Sequence, residues 1–96
     1  MYVLTYQVQL HLPECRSLKA KRGVLRPIIE GVRRRFQVAV AEVDHQDTWQ
    51  RTAVGVAVVS ASPSHCEEVI DGVERFVWSI PDIQVLDSRR RWLEQE

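Results

Sequence analysis

Residues 2–12 alternate without a break. Tyr2, Leu4, Tyr6, Val8, Leu10 and Leu12 fall on one side, and Val3, Thr5, Gln7, Gln9 and His11 on the other. A period of two over this length describes a strand with one buried face and is incompatible with an amphipathic helix. Pro13 ends it, and a strand this long must find neighbours in the rest of the chain. Ser17 offers a hydroxyl to cap a helix, and Leu18, Leu25, Ile28, Ile29, Val32 and Phe36 recur at helical spacing, predicting a helix over about residues 17–35. Pro27 removes one backbone hydrogen bond and crowds the Gly23 carbonyl, so a kink is expected there, eased by Gly23. The alternative is a helix that only begins at Pro27, a favoured first position.

Phe36–Val43 and Thr52–Ser60 alternate again and read as two strands joined by a tip. Ala61-Ser62-Pro63-Ser64 turns into a second helix, capped either by Ser62 with Pro63 first, or by Ser64 with Glu67 completing a capping box. Its buried face holds Cys66, Val69, Ile70, Val73, Phe76 and Val77; Glu67, Glu68, Asp71 and Glu74 point outward. Pro81-Asp82 stops it, and Ile83 to Trp92 forms a last strand whose alternation Arg89-Arg90-Arg91 disturbs. With right-handed crossovers, this order gives an α+β, ferredoxin-like βαββαβ fold: a four-stranded antiparallel sheet with two helices on one face. One such domain accounts for residues 1–96.

The tip between the middle strands, Ala41-Glu42-Val43-Asp44-His45-Gln46-Asp47-Thr48-Trp49-Gln50-Arg51, carries more functional side chains than a turn requires. In this topology Asp44, His45, Asp47, Trp49, Gln50 and Arg51 share a rim with His11, Arg16 and Ser17. Two aspartates and two histidines are possible metal ligands, but their spacing matches no ligand pattern, and neither metal nor cofactor is expected. Asp44 and His45 are neighbours on a strand, so they should face opposite ways and fail as a base and its orienter. No serine or cysteine has a nucleophile's context and no glycine-rich phosphate loop is present, so an enzyme is not expected. The purely structural reading has Asp44 and Asp47 accepting bonds that shape the tip, with Trp49 closing the end of the core.

Formal charge is zero in total but unevenly placed. Residues 1–35 hold eight basic and two acidic side chains, and residues 36–96 hold five and eleven, giving +6 and −6. Lys19, Arg22, Arg26 and Arg33 line one stripe of the first helix, a surface suited to phosphates, or simply a solvated face. The open sheet face has no aromatic ring for base stacking, which argues against RNA recognition of the sheet-stacking kind. Its floor of Ala39, Ala41, Ala53, Gly55 and Ala57, flanked by Gln7 and Gln9, instead invites close approach by a second copy or another protein. The chain shows no membrane-length apolar run and no leader pattern, and Cys15 and Cys66 are too few and too far apart for a disulfide framework. A cytoplasmic protein with two reduced thiols is expected.

Three motifs carry a resemblance. They are Leu10-His11-Leu12-Pro13 with Arg16-Ser17-Leu18-Lys19-Ala20-Lys21-Arg22, then Ala41-Glu42-Val43-Asp44-His45-Gln46-Asp47 with Trp49-Gln50-Arg51, and Gly55-Val56-Ala57-Val58-Val59-Ser60. On these the chain resembles the YlxP-like family of small bacterial proteins of unknown function, over nearly its whole length. Pro27 and Arg89-Arg90-Arg91 depart from the usual pattern. The resemblance implies a ferredoxin-like domain and, from the gene neighbourhood typical of the family, a link to translation initiation or ribosome maturation. It implies no catalytic residue and no cofactor. The expectation is a non-enzymatic module touching ribosomal RNA or a translation-related protein through the basic helix and the tip. Its rival is a self-associating or protein-binding scaffold that works through the open sheet face. An enzyme or ligand sensor using the His11/His45 rim is the third reading.

Overall fold

The computed structural model describes residues 1–93. Its elements are β1 (Tyr2–His11), α1 (Leu18–Phe36), β2 (Ala39–Asp44), β3 (Arg51–Ser60), α2 (Pro63–Trp78) and β4 (Gln84–Trp92). The strands form one sheet in the order β2-β3-β1-β4, with every neighbouring pair antiparallel. This is the expected ferredoxin-like arrangement, with both helices on one face.

The alternation in β1 places Leu4, Tyr6, Val8 and Leu10 under the helices, each at most 1 % exposed. Val54, Val56 and Val58 of β3 join them, as do Leu25, Ile28 and Val32 of α1 and Cys66, Ile70, Val73 and Val77 of α2. Each fully buried aliphatic side chain contributes about 1.5–3 kcal/mol before chain entropy is counted. Cys15 and Cys66 are free thiols inside this core.

Local chemistry sets the helix ends. Ser17 is extended (φ −164°) and its Oγ accepts from the Ala20 amide at 3.0 Å. At the other end Gln37 adopts a left-handed conformation (φ 53°), and its N–H donates to the Arg33 carbonyl at 2.9 Å. That cap explains why Phe36 belongs to α1 and β2 begins only at Ala39, later than the alternation of residues 36–43 suggests. The helix is continuous through Pro27, so the reading in which a helix begins there does not hold. Ser62 caps α2, accepting from the His65 amide at 3.3 Å with Pro63 in the first turn, which decides between the two capping schemes.

The helices cross where each offers a glycine to the other's phenylalanine. A Cβ on Gly31 would lie 2.7 Å from Phe76 Cζ, and one on Gly72 would lie 2.7 Å from Phe36 Cε1. The two rings meet edge to face, 6.4 Å apart.

β4 absorbs the three arginines without losing its pairing to β1. Its register shifts between Gln9 and Leu10, which leaves Leu86 unpaired as a bulge. Arg90 turns towards α2 and binds Asp71 at 2.7 Å and Glu74 at 3.0 Å. Burial alone would lower the pKa of this guanidinium, but the two carboxylates outweigh it and hold it above its ordinary value.

Tyr6 is 1 % exposed, and among the described residues its hydroxyl is the one buried side-chain polar atom without a hydrogen bond. Burial raises its pKa above the ordinary 10.0, a rise tempered by the polar side chains of Trp78 and Ser88 near the hydroxyl. An acid whose folded pKa is raised contributes stability that is complete below pH ~10 and is lost as the pH climbs from there towards the folded value. Tyr6→Phe is therefore expected to stabilise the protein by about 1 kcal/mol at neutral pH and to flatten the fall in stability above pH 10. Urea melts at neutral pH and above pH 10 read both effects; a loss of stability at neutral pH would show that the hydroxyl is bonded after all.

Candidate functional site: the hairpin rim, the outer face of α1 and the open sheet

The tip is built on a buried polar network. Lys21 lies on the inner face of α1, one helical turn before Leu25, and is 2 % exposed. Its Nζ donates to the His45 carbonyl at 2.6 Å and pairs with Glu42 Oε2 at 2.8 Å. The Thr52 hydroxyl, also buried, donates to the same carboxylate oxygen at 2.6 Å. One ammonium thus ties the helix to the last residues of β2 and to the turn beyond. Sequence reasoning passed over these three residues, although the signal was present. Lys21 continues the Leu25/Ile28/Val32 face, Glu42 continues Val38 and Val40, and Thr52 precedes Val54. Three polar residues on core-facing positions at one end of the fold imply a satisfied cluster.

The tip departs from the alternation that precedes it. The β2–β3 register shifts between Glu42 and Asp44, so Val43 is a bulge, and Asp44 pairs with Ala53 on the open face. His45 then takes a left-handed conformation (φ 61°), and its amide donates to Asp44 Oδ1 at 2.7 Å. Asp44 and His45 therefore do not face opposite ways, as a regular strand would require. The bulge and the turn bring His45 Nε2 to 4.0 Å from Asp44 Oδ2. That is too long for a hydrogen bond, and the same nitrogen meets Gln9 Oε1 at 3.2 Å, so no base–orienter pair results.

Arg51 Nη2 donates to the same Gln9 oxygen at 3.4 Å, rather than to either tip aspartate. His11 Nδ1 lies 3.1 Å from Gln84 Oε1, and Gln50 Nε2 donates to the Pro13 carbonyl at 3.3 Å. His11, His45, Gln50 and Arg51 thus gather around the β1–α1 connection, as the topology predicts. Asp47 and Trp49 stay outside this cluster. Trp49 is 51 % exposed and does not close the core. Among the described residues, no group of three or more His, Cys, Asp or Glu side chains is placed to hold a metal ion.

The outer face of α1 divides in two. Lys19, Arg22 and Arg26 are exposed and make no ion pair among the described residues. Arg16 is exposed in the connection just before them. Arg33, placed by the sequence in the same stripe, is used by the fold: it lies 3.6 Å from Glu30 and donates to the Val40 carbonyl on the edge strand at 3.3 Å.

Strand registers lay rows of side chains across the open sheet face. Reading from β4 to β2, they are Arg91, Thr5, Ala57, Ala39; then Arg89, Gln7, Gly55, Ala41; then Asp87, Gln9, Ala53, Asp44; and Gln84, His11, Arg51. The small floor forms a shallow trough of about 490 Å³ between Thr5/Gln7 and Val43. Gly55 is required under the bulge, because a Cβ there would come within 2.8 Å of Val43 Cγ1. Arg89 and Arg91 edge the face beside Thr5 and Gln7, and Arg89 reaches Asp87 at 3.5 Å.

Fold and surface together define a ferredoxin-like α+β domain with a basic outer helix and an uncovered sheet. A solved de novo designed protein with a ferredoxin fold, LFR1 1, superposes with a TM-score of 0.54 at 11 % identity, over 99 % of this chain and 88 % of that one. A family profile described as "Protein of unknown function (DUF503)" matches residues 3–90. Over 76 residues the chain is 42 % identical to the uncharacterized protein YlxP of Bacillus subtilis (strain 168), covering 79 % of this chain and 83 % of that one. The chain belongs to this YlxP-like family of unknown function. No helix among the described residues is long and apolar enough to cross a membrane.

Proposed function

We propose that the protein is a non-enzymatic, cytoplasmic module of translation or ribosome maturation that binds ribosomal RNA through its phosphates. The observation that carries this reading is the outer face of α1, where Lys19, Arg22 and Arg26 stand exposed with no ion-pair partner among the described residues, next to Arg16. Cations left unneutralised along one helix release counterions when they meet a phosphate chain, and this supplies sequence-independent affinity. The hairpin rim, held to the same helix by Lys21, adds His45, Trp49, Gln50 and Arg51 as polar and aromatic contacts at one end of the basic row. The link to translation rests on the gene neighbourhood that the family resemblance implies.

The test is binding of the full chain to purified ribosomal RNA over a range of salt. Three or four phosphate contacts predict a slope of log K against log salt of about −2 to −3. Arg22→Glu with Arg26→Glu is expected to weaken binding at least about tenfold and to flatten that slope. Arg33 is left unchanged in this test because its substitution would also disturb the edge of the sheet. Affinity that ignores both salt and the charge reversals would overturn the reading.

A further inference from the structure

From the open sheet face we infer that its occupant is a second copy of this chain, packed face to face about a two-fold axis that runs across the strands. The inference does not rest on RNA binding: the basic residues of α1 lie on the opposite side of the sheet, and the two surfaces share only Arg51 at the rim.

Three observations support it. The floor of the face is small: Ala39, Ala41, Gly55 and Ala57 present nothing beyond a Cβ, so another sheet can approach to the usual ~10 Å. Val43 stands on the same face, 48 % exposed among the described residues, and is covered when a second sheet packs there. The charges, finally, are self-complementary in one register. Along β4, Arg89 and Asp87 occupy adjacent rows. An axis across the strands, passing between those two rows, sets each Arg89 over the Asp87 of the other copy. It also lays Arg51 towards the small row of Ala57, and Asp44 towards Ala41. The competing two-fold, parallel to the strands, sets Asp87 of β4 over Asp44 of β2 and brings like charges together. Charge thus favours the axis across the strands over the axis parallel to them.

Four strands and four rows at normal spacings give an interface of about 1,000 Å² in total, near the lower bound for a specific contact. A reversible, concentration-dependent dimer follows.

Sedimentation equilibrium of the full chain, from micromolar to millimolar concentration, is expected to show the mass double. Ala41→Glu, which faces Asp44 of the other copy, should raise the dissociation constant about 10-fold to 100-fold. Asp87→Arg should do the same by crowding four arginines, and adding Arg89→Asp to it should restore the dimer. A far-UV thermal melt of each variant separates lost association from lost folding. A monomer at every concentration overturns the inference. So does a dimer indifferent to Ala41→Glu, or one that the charge exchange fails to restore.

Discussion

Lys21→Ala is expected to lower the unfolding free energy by about 3 kcal/mol, several times the effect of truncating any exposed arginine of α1. The cost arises less from the lost attraction than from what remains. Glu42 keeps a carboxylate that is only 18 % exposed in its side chain, with Thr52 as its one remaining partner among the described residues. The His45 carbonyl loses the donor that holds it. Leaving one member of a buried pair uncompensated costs about 3–5 kcal/mol, and the partial access of water to Glu42 puts this case at the lower end. The control is Lys21→Met with Glu42→Leu. Removing both charges and filling their volume should recover most of the loss. Urea melts with unchanged m-values measure both variants. A double variant no more stable than Lys21→Ala would show that the site holds the fold by shape rather than by charge. Arg22→Ala, on the outer face, should stay within about 0.5 kcal/mol of the parent.

The second large effect is steric. Gly31→Leu combined with Gly72→Leu should cost about 3 kcal/mol, although leucine is the better helix former at both positions by nearly 1 kcal/mol. Each glycine is the hole into which a phenylalanine of the opposite helix fits, with a built Cβ already at 2.7 Å from the ring in both cases. A branched side chain must push the ring aside, and Phe76 cannot move far because Phe36 flanks it and Arg35 stacks on its face at 4.7 Å. The helices then separate or the rings leave their rotamers, and cores resist both. Calorimetric melts of the two single variants and the double would show the costs coupling through the shared ring pair. Full additivity would mean that the two contacts relax independently.

Most of the architecture is legible in the chain because each element states its own period. The alternation of residues 2–12 gives β1, the Leu25/Ile28/Val32 spacing gives α1, and Ser17 and Ser62 mark both helix starts. Reading fails where one residue breaks the period. Val43 bulges, and every side chain after it changes face, so Asp44 lies on the open sheet instead of sharing the inner face with Glu42. Leu86 does the same in β4. Neither position carries the glycine or proline that usually marks such a break. Gln37, His45 and Asp82 adopt positive φ without being glycine, so the left-handed turns were equally silent. Lys21 was hidden for another reason. A lysine in a basic run looks solvated, and only its place in the apolar spacing shows that it points inward.

The Arg33 contact with Val40 has a consequence for how the sheet ends. β2 is an outer strand, and an outer strand offers free carbonyls and amides to any extended chain that passes. Here the strand is only six residues long, one of its carbonyls is occupied by a guanidinium, and its regular ladder stops at the bulge. Lateral growth of the sheet is blocked along this margin. A partner that arrives on this side must then meet the sheet broadside, and this margin is guarded against the strand-by-strand stacking from which fibrils grow, while β4 forms the other edge.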